Sequence, residues 1–330
     1  MVAPESCLER AWPAMTRYLL LGLLLTTFAT ASSTAFESRY PPGRTSVIVK
    51  AGLLADGTGA PADAAPDPKS CAGVSFTRSL KYGENDQNVL DVATAEFRDG
   101  APRPVLLFVA GESFAGENGI PDFAGPMQDV AMCFAARHGM VGVRMAYPLA
   151  PANPWPGGAR DVAAAISWIR ENIDLFKGDR DEIVAIGYSA GASHVATYLA
   201  HPEFQQGGHG VAGVVLVSGL YRVSADAGAA EKAYFGADAS KYDERSAFPG
   251  IAHVETPILL AWSSLDSPHL IAQGERLKEF LCSVPAHCPH TRVLDNRNGL
   301  ASVFTLDVAS GSLAEATLEL IREIEARGLP

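Results

Sequence analysis

The chain has 330 residues, a formal net charge of −11 and 48% hydrophobic residues, while charged residues make up 19%. An acidic chain without a basic stripe is not typical of proteins that bind nucleic acid or anionic membrane surfaces, and we expect neither partner. Beyond the N-terminal segment, the length suits one large α/β domain with a substantial core.

The N-terminal segment predicts a secretory signal peptide over residues 1–35. Arg10 and Arg17 precede a Leu-rich apolar run, Tyr18–Phe28, and small residues follow it. A positive flank, a short apolar core and an A-x-A-like site are typical of such peptides. The run is shorter than the ~20 apolar residues of a membrane span. An uncleaved N-terminal anchor is the alternative, and Met15 is an alternative translation start. We expect a secreted or periplasmic protein that has no membrane association after cleavage.

Cysteine usage agrees with export. Once Cys7 leaves with the signal peptide, four cysteines remain, and four allow three disulfide connectivities in an oxidising compartment. We favour a bridge between Cys282 and Cys288, because they flank a short loop. Cys133 lies in an apolar predicted helix, where a buried thiol is the alternative to a disulfide. The cysteine spacings do not predict a zinc site, and we expect no metal and no other cofactor.

Strands alternate with helices along residues 79–330, after a predicted lead-in over residues 36–78. The predicted strands are Val89–Thr94, Pro104–Ala110, Met140–Met145, Glu182–Ile186, Val211–Val217, Pro257–Trp262 and Thr291–Asp295. The predicted helices are Pro126–His138, Ala159–Ile173, Ala190–Ala200, His269–Phe280 and Ser312–Ala326. This alternation predicts an α/β fold with a mainly parallel, twisted sheet covered by helices on both faces.

Residues 221–249 interrupt the alternation of strands and helices. They lie between two predicted core strands and mix aromatic with charged residues. We predict a small cap segment near the mouth of the site. The alternative is a helical excursion that has no role in substrate choice.

A G-x-S-x-G motif lies where a predicted strand meets a predicted helix. It consists of Gly187, Tyr188, Ser189, Ala190 and Gly191. Glycines allow the chain to turn sharply, and the turn lifts the serine hydroxyl above the edge of the sheet. The amide that follows the serine then points to where an oxyanion would form. The motif predicts a nucleophilic Ser189, and the alternative is a serine in an ordinary strand–helix turn.

Four groups of residues carry a resemblance to a known family. They are Lys81-Tyr82-Gly83 with Leu90-Asp91-Val92; Tyr147-Pro148-Leu149-Ala150-Pro151 with Pro154-Trp155-Pro156 and Asp161-Val162; the turn GYSAGA; and Asp266 in LLAWSSLDSP. Together, over residues 80 to 325, they resemble the α/β-hydrolase superfamily, in the carboxylesterase branch near the hormone-sensitive-lipase-like enzymes. The resemblance implies an α/β-hydrolase fold, a serine nucleophile at Ser189 and a small-molecule ester or related ligand. Asp266 would be the acid that orients a histidine, and a surface aspartate at a strand end is its alternative.

Two departures from that family affect the predicted site. The family's oxyanion loop reads HGGG or HGGS, whereas this chain reads Ala110-Gly111-Glu112-Ser113-Phe114. We predict a partial oxyanion hole built from Gly111 or Glu112 together with Ala190, because any non-proline residue offers an amide. A Glu112 carboxylate that faced the developing negative charge would oppose it.

The triad histidine is missing from its usual place after the last strand. The family pattern there resembles GHNHLS, whereas residues 296–302 read NRNGLAS, and Arg297 or Gly299 occupies the slot. All eight histidines precede this window. Among them, His194 and His269 are the ones nearest to the motif or to the predicted acid, and each also suits a packing or surface role.

Two hypotheses therefore stay open. The first is an exported serine hydrolase of the carboxylesterase type that acts on a small carboxylic ester with a rearranged base. The second is a catalytically impaired member of the same fold that binds a ligand or partner. A metal-dependent hydrolase finds no support, because histidines and carboxylates do not have ligand spacing.

Overall fold

The computed structural model describes residues 71–97, 99–111, 113–116, 126–295 and 312–328. The predicted signal peptide, Glu112 and the window at residues 296–302 lie outside the described residues. None of the helices within these ranges is long and apolar enough to cross a membrane.

Strands and helices of the described residues alternate along the chain. The strands are β1 (Ser75–Lys81), β2 (Val89–Thr94), β3 (Arg103–Val109), β4 (Val141–Met145), β5 (Gly178–Tyr188), β6 (Gly213–Val217), β7 (Ile258–Ser263) and β8 (His290–Leu294). The helices are α1 (Pro126–Arg137), α2 (Gly157–Asn172), α3 (Ala190–Ala200), α4 (Ala229–Phe235), α5 (Tyr242–Arg245), α6 (Pro268–Ser283) and α7 (Ser312–Arg327). Short 3₁₀ turns lie at Ile173–Phe176, Pro202–Phe204, Ala239–Lys241 and Gly250–His253.

The strands form one mixed sheet in the order β1-β2-β4-β3-β5-β6-β7-β8. Strand β2 is antiparallel to both of its neighbours, and every pairing from β4 to β8 is parallel. Side chains along a strand alternate between the two faces, so Leu107 joins one core cluster while Leu106 and Phe108 join the other. The first cluster includes α2 and α3, and the second includes α1 and α7. The predicted fold class, a mainly parallel sheet with helices on both faces, is confirmed.

Strand β1 begins at Ser75, inside the segment predicted as a lead-in, and forms the antiparallel edge of the sheet. A network of ion pairs joins this edge to the rest of the domain. Arg78 lies 2.9 Å from a carboxylate oxygen of Asp91 and 2.7 Å from one of Asp129, and Asp91 also pairs with Arg144. Because Asp91 is buried and Asp129 belongs to α1, the network connects β1, β2, β4 and α1.

Two disulfides connect the four cysteines that remain after residue 70. Cys282 bonds to Cys288 at the end of α6, which agrees with the pairing favoured from the sequence. Cys71 bonds to Cys133, so the fully buried Cys133 of α1 is not a free thiol. The second bridge attaches the chain just before β1 to the helix that covers the sheet.

Candidate active site

Ser189 is the single residue between β5 and α3, and its backbone is in an unusual conformation. Its φ is 53° and its ψ is −120°, a region that non-glycine residues rarely adopt. The two flanking glycines are sterically required. A Cβ at Gly187 would lie 2.6 Å from the Cα of Ala192, and a Cβ at Gly191 would lie 2.0 Å from the carbonyl oxygen of Val109. The sequence motif therefore forms a sharp strand–helix turn.

Backbone hydrogen bonds fix Ser189 to its neighbours. Its amide donates to the carbonyl of Val217 at 2.9 Å, which continues the β5–β6 ladder by one residue. Its carbonyl accepts from the amide of Ser193 at 3.2 Å and from the hydroxyl of Ser193 at 3.3 Å. The half-buried Ser189 hydroxyl makes no hydrogen bond with any residue that the structure describes.

The loop after β3 lies against the start of α3. A Cβ at Gly111 would lie 2.1 Å from the amide nitrogen of Gly191 and 2.8 Å from the carbonyl carbon of Ala190. The amide of Ala190, as the first of a helix, has no acceptor within that helix. The structure thus brings together Gly111 and Ala190, two of the three residues predicted for the oxyanion hole. Glu112, the third, lies outside the described residues.

Asp266 lies three residues after β7, so it is at the carboxyl ends of the parallel strands, as Ser189 is. One of its carboxylate oxygens, Oδ2, accepts a hydrogen bond from the hydroxyl of Ser218 at 2.6 Å and from the amide of Ser263 at 2.9 Å. The carboxylate is half-buried. Both residues predicted from the sequence as nucleophile and acid are therefore at the carboxyl ends of parallel strands, where α/β sheets carry their sites.

Ser218 is a neighbour of the candidate site that the sequence did not single out. It follows β6 directly, is 3% exposed and has a φ of 53°, the same value as Ser189. Its amide donates to Ala261 of β7 at 2.9 Å, and its hydroxyl donates to Asp266. The available signal was a Ser-Gly pair immediately after a fully buried strand, which is too common a pattern to single out without the structure.

His194 lies in the second turn of α3 and is 2% exposed. Its ring contacts Phe114, Tyr147 and Tyr234, with centroid separations between 5.0 and 5.6 Å. Its Nδ1 is buried without a hydrogen-bond partner. Burial lowers the pKa of His194 to about 3, so the ring is neutral at physiological pH. The ring is part of an aromatic cluster and does not hydrogen-bond to Ser189.

The remaining histidines are also within the described residues, and none of them hydrogen-bonds to Ser189. His269 is exposed in the first turn of α6, three residues beyond Asp266. His290 is the first residue of β8, so it lies at the amino ends of the parallel strands, whereas Ser189 lies at their carboxyl ends. Its ring pairs with Glu323 at 2.8 Å. The other rings have local partners or surface positions; these are His138, His201, His209, His253 and His287. The described structure therefore offers no imidazole in contact with the Ser189 hydroxyl.

The segment predicted as a cap folds into α4 and α5 and packs beside the turn. Tyr234 and Phe235 of α4 contact Phe114, with ring centroids 5.2 and 5.0 Å apart. Ala190 belongs to the same apolar cluster. The hydroxyl of Tyr234 accepts a hydrogen bond from the amide of Gly158 at 3.1 Å, which ties α4 to α2. This segment therefore lies against Ala190, the residue after Ser189.

No cluster of three or more metal-ligating side chains occurs among the described residues.

The sequence matches known proteins over a region that includes Ser189 and Asp266. A family model described as alpha/beta hydrolase fold matches residues 120–274. Esterase LipC of Mycobacterium tuberculosis (strain ATCC 25618 / H37Rv) is 36% identical over 132 residues, which are 39% of this chain and 31% of the relative. Esterase B1 of Culex pipiens is 32% identical over 131 residues, 38% of this chain and 24% of the relative. The chain has the α/β-hydrolase fold, and it is similar in sequence to esterases over less than half of its length.

Solved structures share the α/β-hydrolase fold of this chain at low sequence identity. Esterase B from Lactobacillus rhamnosis superposes with a TM-score of 0.63 at 17% identity, covering 86% of this chain and 93% of that one. A bacterial heroin esterase gives 0.60 at 19% identity, covering 87% and 90%. In sequence, the matched segments span less than a third of the length of Esterase LipC and of Esterase B1.

Proposed function

We propose that this protein is an exported serine hydrolase of the carboxylesterase type that acts with low turnover on small carboxylic esters. The observation that carries the proposal is the backbone of Ser189. A serine at φ 53° between two glycines that admit no side chain is the geometry that presents a nucleophile at the top of an α/β sheet.

The neighbouring groups support attack on an ester carbonyl. The Ala190 amide at the start of α3 is available to an oxyanion, and the loop that begins at Gly111 lies against it. Asp266 places a carboxylate at the same edge of the sheet. The esterase relatives named above support the substrate class, a carboxylic ester.

Low turnover follows from the missing base. A serine hydroxyl without an adjacent base is a weak nucleophile. A positioned general base contributes about 10²–10⁴ in rate, and no described histidine reaches Ser189. The same observation favours a second candidate function, a hydrolase-fold protein that binds a ligand or partner without turnover.

Hydrolysis of short-chain nitrophenyl esters, measured alongside labelling by a fluorophosphonate, separates the two candidates. We expect slow turnover and slow labelling, both lost in Ser189→Ala. Turnover that survives Ser189→Ala would overturn the assignment of the nucleophile. Complete inertness in both assays would favour the binding protein.

Export rests on the N-terminal pattern and is supported by the two disulfides, since such bonds persist in oxidising compartments. Peptide mapping of protein recovered from the native host tests it. We expect a mature N-terminus between Thr30 and Ser38, in secreted or periplasmic material. Intact Met1 or Met15 in a soluble cytoplasmic fraction would contradict export.

A further inference from the structure

We propose that Ser218 relays the proton between Ser189 and Asp266, and so takes the part that a triad histidine plays in the family that the sequence resembles. The inference rests on the proposed function and deepens it, because it names the group through which Asp266 acts.

The sheet places Ser218 between the other two residues. Tyr188, the last residue of β5, pairs in register with Val217, the last residue of β6, and Ser189 and Ser218 directly follow these two strands. Val217 in turn pairs with Ala261 of β7, the strand that leads to Asp266. Since the order is β5-β6-β7, Ser218 lies beside Ser189 on one side and reaches Asp266 on the other.

The hydrogen bond between Ser218 and Asp266 is short. An O–H···O distance of 2.6 Å is typical of a charge-assisted hydrogen bond from a hydroxyl to a carboxylate. Ser218 is buried, and the Ser263 amide holds the same oxygen of Asp266. The carboxylate is therefore aimed at Ser218 by two elements, β6 and β7.

The histidines do not supply an alternative in the described structure. His194 is enclosed by aromatic rings, and His290 is at the amino ends of the parallel strands. His269 is exposed, and its ring makes no hydrogen bond with a described residue. The contact between the hydroxyls of Ser189 and Ser218 would form with substrate bound, directly or through one water molecule, as catalytic hydrogen bonds often tighten only then.

Protons and bonds balance in both halves of the reaction, acylation of Ser189 and its deacylation. As Ser189 Oγ bonds to the ester carbon, its proton passes to Ser218 Oγ while the Ser218 proton passes to Asp266. The carbonyl π electrons move to the oxygen, held at the amide of Ala190. When the intermediate collapses and the C–O bond to the alcohol breaks, the proton returns through Ser218 to the departing alkoxide. Water then repeats both steps on the acyl-Ser189 ester and releases the carboxylic acid.

Replacement of Ser218 by glycine removes the hydroxyl without straining the backbone, because glycine tolerates a φ of 53° better than serine. We expect Ser218→Gly to fold and to lower kcat for a short-chain nitrophenyl ester by about 10- to 100-fold, part of what a general base supplies. Ser79→Gly is the matched control. Ser79 also has a positive φ, 59°, but is exposed on β1, and this variant should keep wild-type kcat.

Two further readouts distinguish a relay from a structural role. If Ser218 and Asp266 act as a unit, the double variant Ser218→Gly/Asp266→Asn should be no slower than the slower single variant. The pH profile of wild-type kcat should show no inflection near about 6.5, where an imidazole base titrates.

The outcomes separate this inference from the proposed function. Wild-type turnover in Ser218→Gly, additive losses in the double variant, or an inflection near about 6.5 that a histidine variant removes would each overturn the relay and leave Ser189 as the nucleophile. Turnover that persists in Ser189→Ala, or a wild type without turnover, would overturn the proposed function and the relay together.

Discussion

A Cβ atom placed on Gly111 would lie 2.1 Å from the amide nitrogen of Gly191. The loop after β3 and the start of α3 are therefore in backbone-to-backbone contact, so neither side can yield by rotating a side chain. We expect Gly111→Ala to lower the free energy of unfolding by about 1–3 kcal/mol, as overpacking does. Because it displaces the Ala190 amide, it should also lower ester turnover at least ~10-fold, within the effect of losing an oxyanion donor.

Gly100→Ala is the control for that substitution, since a Cβ at Gly100 would have no atom of the described residues within 4 Å apart from its chain neighbours. Urea unfolding and nitrophenyl ester hydrolysis of both variants check the expectation. Equal stability and turnover in the Gly111 and Gly100 variants would show that the contact is not required.

A histidine returned to the position used by the family should raise turnover. We expect either Gly299→His or Arg297→His, in the window that lies outside the described residues, to increase ester hydrolysis at least ~10-fold, a modest share of what a general base contributes. The gain should vanish when Ser189→Ala is added, because nucleophile and base act together.

Gly299→Gln controls for side-chain size without a base and should bring no gain. If neither histidine variant improves turnover while Ser189 still reacts with a fluorophosphonate, the loop at Gly111 and Glu112 is the limiting defect.

His194 makes a pH-dependent contribution to stability. Burial lowers its pKa to about 3, below the ~6.5 of an exposed ring, so between these values the unfolded chain binds the proton and the folded chain does not. The contribution of this group is thus present above about pH 6.5 and is lost as the pH falls toward about 3. We expect His194→Leu to lose less stability than wild type over this range, measured by thermal unfolding at several pH values.

His253→Leu, at an exposed position, should leave the acid sensitivity unchanged. Ester turnover of His194→Leu at neutral pH should match that of wild type. A loss of more than ~10-fold in turnover would identify His194 as the displaced base.

The two disulfides should contribute unequally to stability. Cys71 and Cys133 are 62 residues apart, whereas Cys282 and Cys288 are 6 apart. Restricting the unfolded chain by closing loops of these lengths is worth about 4 and about 2 kcal/mol in the chain-entropy account. We expect Cys71→Ser/Cys133→Ala to unfold at lower denaturant concentration than Cys282→Ser/Cys288→Ser. If the Cys282/Cys288 variant unfolded at the lower denaturant concentration instead, the short disulfide loop would contribute more to stability than the long one, through contacts of the native state.

The sequence predicted the parts of the fold that hydrophobic patterns encode. The bounds of Val89–Thr94 and Ala190–Ala200 agree with the structure, because an apolar strand and an Ala-rich helix each have clear ends. Strand β5 is longer than the predicted Glu182–Ile186, since it begins at Gly178, which pairs with Arg103 of β3 before a shift in register. Strand β1 was missed at its start because an exposed edge strand needs few apolar residues.

The candidate site was predictable only where a motif marks it. Ser189 is marked by its glycines, and Asp266 by its place after a strand. Ser218 and the ion-pair network at Asp91 depend on residues from several elements, and their partners are distant along the chain. No local pattern records that Ser218 and Asp266 share a hydrogen bond.

The side-chain amide of Gln273 accepts hydrogen bonds from the backbone amides of Tyr221 and Arg222 at 3.0 and 2.9 Å, and donates to the carbonyl of Arg222 at 2.9 Å. Gln273 belongs to α6, which begins two residues after Asp266, so the start of the predicted cap and the predicted acid are attached to one helix. If residues 221–249 were exchanged with those of a relative, we expect Asp266 to be displaced unless α6 is transferred as well, so an exchange of this part of the fold should run from residue 218 to residue 283.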